Sequence, residues 1–266
     1  MSADTNPATA SGTYTPKPGA APVGRMIAAQ AALETRMLLR NGEQLLLTVV
    51  IPSLLLVLFS TVSIVDFGAT GEGKAVDFLT PGVLALAVMS TAFTGQAIAT
   101  GFERRYGVLK RLAASPLPRW ALMAAKTLAV LVTEVLQIVL LTAIAFALGW
   151  SPQGNPLAVL LLLVLGTAAF SGLGLLMAGT LKAEATLAAA NLVFLLLLVG
   201  GGVVVPLDKF PDAAQSVLGL LPISALSDGL RDVLQHGASM PWGAAGILVV
   251  WAVLGLAAAA RFFRWE

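Results

Sequence analysis

Six stretches of this chain stay apolar long enough to cross a hydrocarbon core, and that requirement limits every fold open to it. They run approximately Leu45–Val65, Pro81–Gly101, Ala121–Leu148, Leu157–Thr180, Ala185–Val205 and Gly243–Ala260. A spanning helix needs about 20 such residues to match ~30 Å of lipid. Backbone amides find no water at that depth, so each span must pair its own N–H and C=O groups as a helix. Charged residues make up only 11% of the 266, and hydrophobic ones 58%. A soluble domain carries about 25% charge, so this chain cannot cover a water-facing surface. The expected fold is an all-α integral membrane protein with six transmembrane helices. The third stretch is overlong and predicts tilt, or a start outside the bilayer.

Charge sets the expected orientation. Of 16 Lys and Arg, only Lys74, Lys209 and Arg231 fall in the loops after the first and fifth stretches, leaving 13 on the other side. The same two loops hold Asp66, Glu72, Asp77, Asp208, Asp212, Asp228 and Asp232. Positive-inside bias therefore predicts a multi-pass cell-membrane protein with both termini and the 102–118 loop in the cytoplasm. A net charge of +2, spread over loops, argues against nucleic acid as a partner. With no cysteine and a single histidine, His236, neither thiol chemistry nor a histidine-based metal centre is expected.

Residues 1–24 are rich in Ser, Thr, Pro, Gly and Ala, which predicts a disordered cytoplasmic tail without the apolar core of a signal peptide. In 25–43, Met26, Ala29, Leu33 and Met37 recur at helical spacing with Arg36 and Arg40 to one side. That pattern suits an interfacial helix, or a direct lead-in to the first span. Between the second and third spans, Phe102, Tyr106, Leu109, Leu112 and Ala113 share one helical face, and Arg104 and Arg111 point away from it. Pro116 and Pro118 stop that basic helix. It is either a topology-fixing loop or a docking helix for a cytoplasmic partner.

Small residues mark the fourth span: Gly166, Gly172, Gly174 and Gly179, with Ala168/Gly172 and Gly174/Ala178 four apart. Such spacing predicts close helix packing within the bundle. The outer segment, 206–241, stays rather apolar. After Pro222, the residues Ile223, Leu226, Leu230, Val233 and Leu234 form an apolar face, and Asp228, Arg231 and Asp232 a charged one. Two short re-entrant helices before the last span satisfy both faces.

Catalytic signals are sparse. Gly68–Ala75 follows most of the phosphate-loop pattern, but Ala75 replaces the magnesium-ligating hydroxyl and no strand precedes it. Ser171 has no base in a facing span. Asp208/Asp212 and Asp228/Asp232 are carboxylate pairs that a membrane prenyltransferase could use to hold magnesium. Pro211 splits the first, however, and Arg231 shares the turn of the second. No metal site on this chain is expected. Glu134 is the one acid inside a span, at a cost of roughly 2.5–3.5 kcal/mol on insertion scales. It either bonds to a neighbouring helix or lines a substrate path with Gln96, Gln137 and Asn191.

Two motifs, in order on six spans, carry a resemblance. The loop after the second span reads Glu103-Arg-Arg-Tyr-Gly107-Val-Leu-Lys110-Arg111-Leu112-Ala-Ala-Ser115-Pro116. The fifth span ends in Gly200–Gly202, followed by Pro206, Pro211, Leu221-Pro222 and Asp228-Gly-Leu-Arg231. From Arg25 onward the chain resembles the permease subunits of type-2 ABC exporters, of the daunorubicin-resistance and polysaccharide-export kind. The resemblance implies a permease domain over 25–266 and a coupling role for Glu103, Arg104, Tyr106, Gly107, Leu109, Lys110, Arg111 and Leu112 against an ATP-binding cassette ATPase. It also implies an outer gate at Pro206, Pro211, Pro222, Asp228 and Arg231. This chain has no Walker motif in a sound context and no ABC signature. ATP and magnesium are therefore expected on a separate ATPase subunit, and no cofactor on this chain. Further implied partners are membrane lipid and a second permease copy or close relative. The expected activity is export of an amphipathic drug, antibiotic or lipid-like substrate. A cell-envelope glycan or lipid exporter is the alternative within transport, and the prenyltransferase-like enzyme the alternative outside it.

Overall fold

The computed structural model describes residues 19, 21–42, 46–61, 75–203 and 211–264. All secondary structure among them is helical: α1 (Val23–Arg40), α2 (Ile51–Thr61, led in by a π-wound turn Leu46–Val50), α3 (Ala75–Arg105), α4 (Val108–Ala113), α5 (Arg119–Ala147), α6 (Pro156–Thr180), α7 (Ala183–Gly200), α8 (Asp212–Leu218), α9 (Pro222–Leu234) and α10 (Trp242–Phe262). Five of these, α3, α5, α6, α7 and α10, are long and apolar enough to cross a membrane. Of the expected span Leu45–Val65, the described residues form a shorter apolar helix, Thr48–Thr61. The expected tail is outside the described residues apart from Gly19 and 21–24, of which Val23 and Gly24 already belong to α1.

Proline punctuates the chain. Pro22, Pro118, Pro211 and Pro241 immediately precede helices, and Pro156 and Pro222 occupy first turns, where the missing N–H has no partner to lose. Asn155 adds a side-chain cap, accepting from the Leu157 amide at 2.9 Å.

Pro81 behaves differently. The sequence places it at the start of a span, yet α3 begins a turn and a half earlier and carries Pro81 inside. Proline in a helix interior deprives the carbonyl four residues back of its donor. That carbonyl belongs to Asp77, and the Gln235 side chain, just past α9, donates to it at 2.6 Å. A tertiary contact thus supplies what the local sequence removed.

α3 is the central element. Most of its apolar window is covered by protein, whereas α7 turns most of its surface outward. α6 packs most extensively along α10, and α9 lies over α3, α6 and α10. The α6–α10 crossing depends on glycine: a Cβ on Gly172 would stand 2.6 Å from the Leu256 nitrogen and 2.7 Å from the Gly255 carbonyl carbon. The small-residue spacing of the fourth span therefore serves packing inside this bundle, as expected.

Candidate functional site

A buried ion-pair cluster stands at the end of the bundle where α3 finishes and α5 begins. Lys126, on the first turns of α5, is 4% exposed. Its Nζ lies 2.6 Å from Glu103 Oε2 near the end of α3 and 3.0 Å from Glu34 Oε1 on α1. Gln30, one turn earlier on α1, donates to Glu34 Oε1 at 2.8 Å. α1 thereby packs along α5 with its buried Ala31 and Glu34 inward, and Leu33 and Met37 outward. A buried ammonium is tolerated only when paired and hydrogen-bonded. Here two helices each supply a carboxylate.

Beside this triad is a cavity of about 250 Å³, bounded by α1, α3 and α5. Glu34, Glu103, Lys126, Gln96 and Thr100 give it polar walls, and Ala99, Phe102, Ala129 and Val130 apolar ones.

The expected coupling residues separate into two groups. A continuous helix from Phe102 to Ala113 does not form, because Gly107 adopts φ +72° and breaks it after Arg105. Only glycine takes that left-handed conformation freely. The expected single face is lost with it: Tyr106 is 69% exposed, and Leu109 is fully buried against Leu117, Leu122, Leu175 and Phe263. Lys110 and Arg111 remain exposed on α4, with Leu112 half-buried. Arg104 does not point away as expected, since it donates to the Leu181 carbonyl. Arg105 pairs with Glu184, so the end of α3 is tied to the α6–α7 turn.

The four expected path residues sit on three helices, α3, α5 and α7. Gln96 lines the cavity. Gln137 accepts from the Thr91 hydroxyl at 3.0 Å and donates to the Thr48 carbonyl, joining α5 to the π-wound stretches of α3 and of the lead-in to α2. Glu134 accepts from Thr167 on α6, while its other oxygen is buried with no partner among the described residues. Asn191 is exposed on α7. Its helix turns outward, a rotation that apolar runs do not encode.

At the opposite end, Pro206 and Asp208 of the expected gate and carboxylate pairs lie outside the described residues. Pro211 is exposed and Pro222 buried, each at the start of a short helix. Arg231 departs from expectation: it is 7% exposed rather than on a charged outer face. It donates to the Val203 carbonyl at 3.0 Å, Asp228 at 3.0 Å and Ser227 at 3.2 Å, and its guanidinium stands 4.6 Å from the centre of the Phe78 ring. Burial pushes the Asp228 carboxyl above its ordinary value, and Arg231 draws it partly back. Asp232 lies 3.4 Å from the His236 ring. The second carboxylate pair is thus engaged with Arg231 on its own helix and with the His236 ring just after it.

Sequence reasoning missed Glu34 and the pairing role of Lys126. The available signal was a lysine within an apolar run and no acid on its own face, which requires acids from elsewhere at the same level.

The family model described as ABC-2 type transporter matches residues 29–234. The linearmycin resistance permease protein LnrN of Bacillus subtilis (strain 168) is 30% identical over 167 residues, which cover 60% of this chain and 43% of that protein. The matched region thus spans less than half the length of that relative.

Proposed function

The chain belongs to the ABC-2 type transporter family, and from that premise we propose that it is the permease subunit of an ATP-driven exporter. A separate ATP-binding cassette ATPase docks on the segment from Glu103 to Leu112. The observation that carries this is the form of that segment. Tyr106, Lys110 and Arg111 are exposed on it, Leu109 roots it in the core, and Glu103 joins it to Lys126 and Glu34. A push on α4 would therefore reach α1, α3 and α5 together. ATP-driven closure of the ATPase pair would use that linkage to favour one arrangement of the spans over another, by differential binding.

The largely apolar spans and the resistance permease similar to this chain support an amphipathic substrate of drug, antibiotic or lipid-like character. Gln96, Gln137 and Glu134 are the polar points along its path, and the helices at Pro211 and Pro222 with the Asp228–Arg231 pair are the outer gate. Both termini are cytoplasmic, and a second permease copy or close relative completes the pathway. The test is co-purification with an ATPase encoded beside this chain, followed by ATP-dependent movement of an amphipathic dye into inverted vesicles. The double variant Lys110→Glu/Arg111→Glu should abolish co-purification while insertion stays normal. Unchanged capture of the ATPase would refute the docking assignment.

A further inference from the structure

The docking segment has a second root, apart from the ion pairs of Lys126. Leu109 of α4 belongs to one buried cluster with Leu175 of α6, Ala259 of α10 and Phe263 just past the end of α10. Phe263 is 3% exposed, whereas its neighbour Phe262 is 60% exposed. The backbone turns extended at Phe263, and the Arg264 amide donates to the Gly179 carbonyl at 3.1 Å. Gly179 is what admits the ring: a Cβ there would stand 2.5 Å from Phe263 Cδ2 and 3.0 Å from its Cα. A close-packed cluster has no spare volume to absorb a shift, so displacing Leu109 displaces Phe263.

From Phe263 the contact continues to the opposite end of the bundle. α6 and α10 meet backbone to backbone where Gly172 faces Gly255 and Leu256, with no side chain between them to yield. Farther along, the Trp251 indole of α10 donates to the Leu220 carbonyl at 2.8 Å, in the turn between α8 and α9. α8 buries no residue, so this bond ties a helix that packing holds lightly. Gly229 of α9 rests on the same two helices: a Cβ there would stand 3.0 Å from Ala244 Cβ on α10 and 3.4 Å from Leu162 Cδ1 on α6.

We propose that Phe263 is the positioning residue through which a displacement of α4 reaches α8 and α9, with α6 and α10 moving as one body in between. Trp251 hands the motion to Leu220. This role rests on the ATPase docking at α4, and adds a route separate from the linkage to α1, α3 and α5.

The test uses the full chain in complex with the ATPase encoded beside it, in inverted vesicles, and reads amphipathic dye moved per ATP hydrolysed. Phe263→Ala should lower that ratio about tenfold while the ATPase is still captured and still hydrolyses ATP. Phe263→Leu, which refills the site, should restore most of it. Trp251→Phe keeps the aromatic bulk, removes only the donor and should lower the ratio about twofold to threefold. Because the chain has no cysteine, Val217→Cys at an exposed position of α8 takes a single fluorescent label. ATP with vanadate should shift its emission in the wild-type background and not in Phe263→Ala. A purely structural role would reduce transport and hydrolysis in proportion; an unchanged ratio, or an undiminished label response in Phe263→Ala, overturns the proposal. If Phe263→Ala fails to insert, Trp251→Phe decides by the same ratio. Failure of the wild-type chain to capture the ATPase would instead overturn the docking reading, and this role with it.

Discussion

Two buried cations hold the two ends of the bundle, and they are paired in opposite ways. Lys126 relies on full charges: two carboxylates from two other helices, at 2.6 and 3.0 Å, beside an open cavity. Arg231 relies on dispersed dipoles: a backbone carbonyl, a hydroxyl, an aromatic face and one carboxylate that is 44% exposed. Space is tight there, since a Cβ on Gly82 would stand 3.0 Å from the Val203 carbonyl oxygen and 3.3 Å from Arg231 Nη2. Lysine is a point charge, whereas arginine offers a planar fork of five donors, so each chemistry suits its setting. The comparison teaches that the Lys126 end depends on charge balance and the Arg231 end on geometry.

The largest expected effect follows from upsetting that balance. Lys126→Met leaves two carboxylates buried without their cation and should destabilise the protein by about 3–5 kcal/mol. Equilibrium unfolding in mixed micelles measures the loss. Adding Glu34→Gln and Glu103→Gln to that variant should recover most of it; no recovery would mean that the triad is held by packing, which would erase the contrast.

Arg231→Met should cost less, about 2 kcal/mol, because Asp228 can turn to solvent while the Val203 carbonyl loses its donor. The same unfolding assay ranks it against Lys126→Met, and a larger loss than for the lysine would reverse the proposed hierarchy.

Asp228→Asn is the mildest change, at under ~1 kcal/mol for a carboxylate so exposed. It has a distinctive pH signature. Because the folded protein holds this carboxyl above its ordinary value, the folded state binds the extra proton, and stability should decline as pH rises through the window between the two values. Asparagine should flatten that decline, which unfolding midpoints taken across acidic pH will reveal.

Much of the bundle was readable along the chain. The apolar runs announced α3, α5, α6, α7 and α10, and small residues announced close packing of the fourth span, though not that Gly172 would meet Gly255. Helical periodicity put Tyr106 and Leu109 on one face, but the left-handed Gly107 between them turns Leu109 into the core while Tyr106 stays exposed. The partners that Glu134 and Gln137 find were not legible for a related reason: side chains on separate helices meet only if both helices turn the right way.

Apolar length and glycine spacing are properties of a short run of chain. In lipid they compel each segment to satisfy its own backbone, so the sequence by itself determined the class of the protein and where most of its spans lie. The partners of Lys126, the donor for the Asp77 carbonyl and the burial of Arg231 depend on how helices rotate and cross. Only the tertiary structure decided those, because side-chain pairing is fixed by the arrangement of all the helices at once.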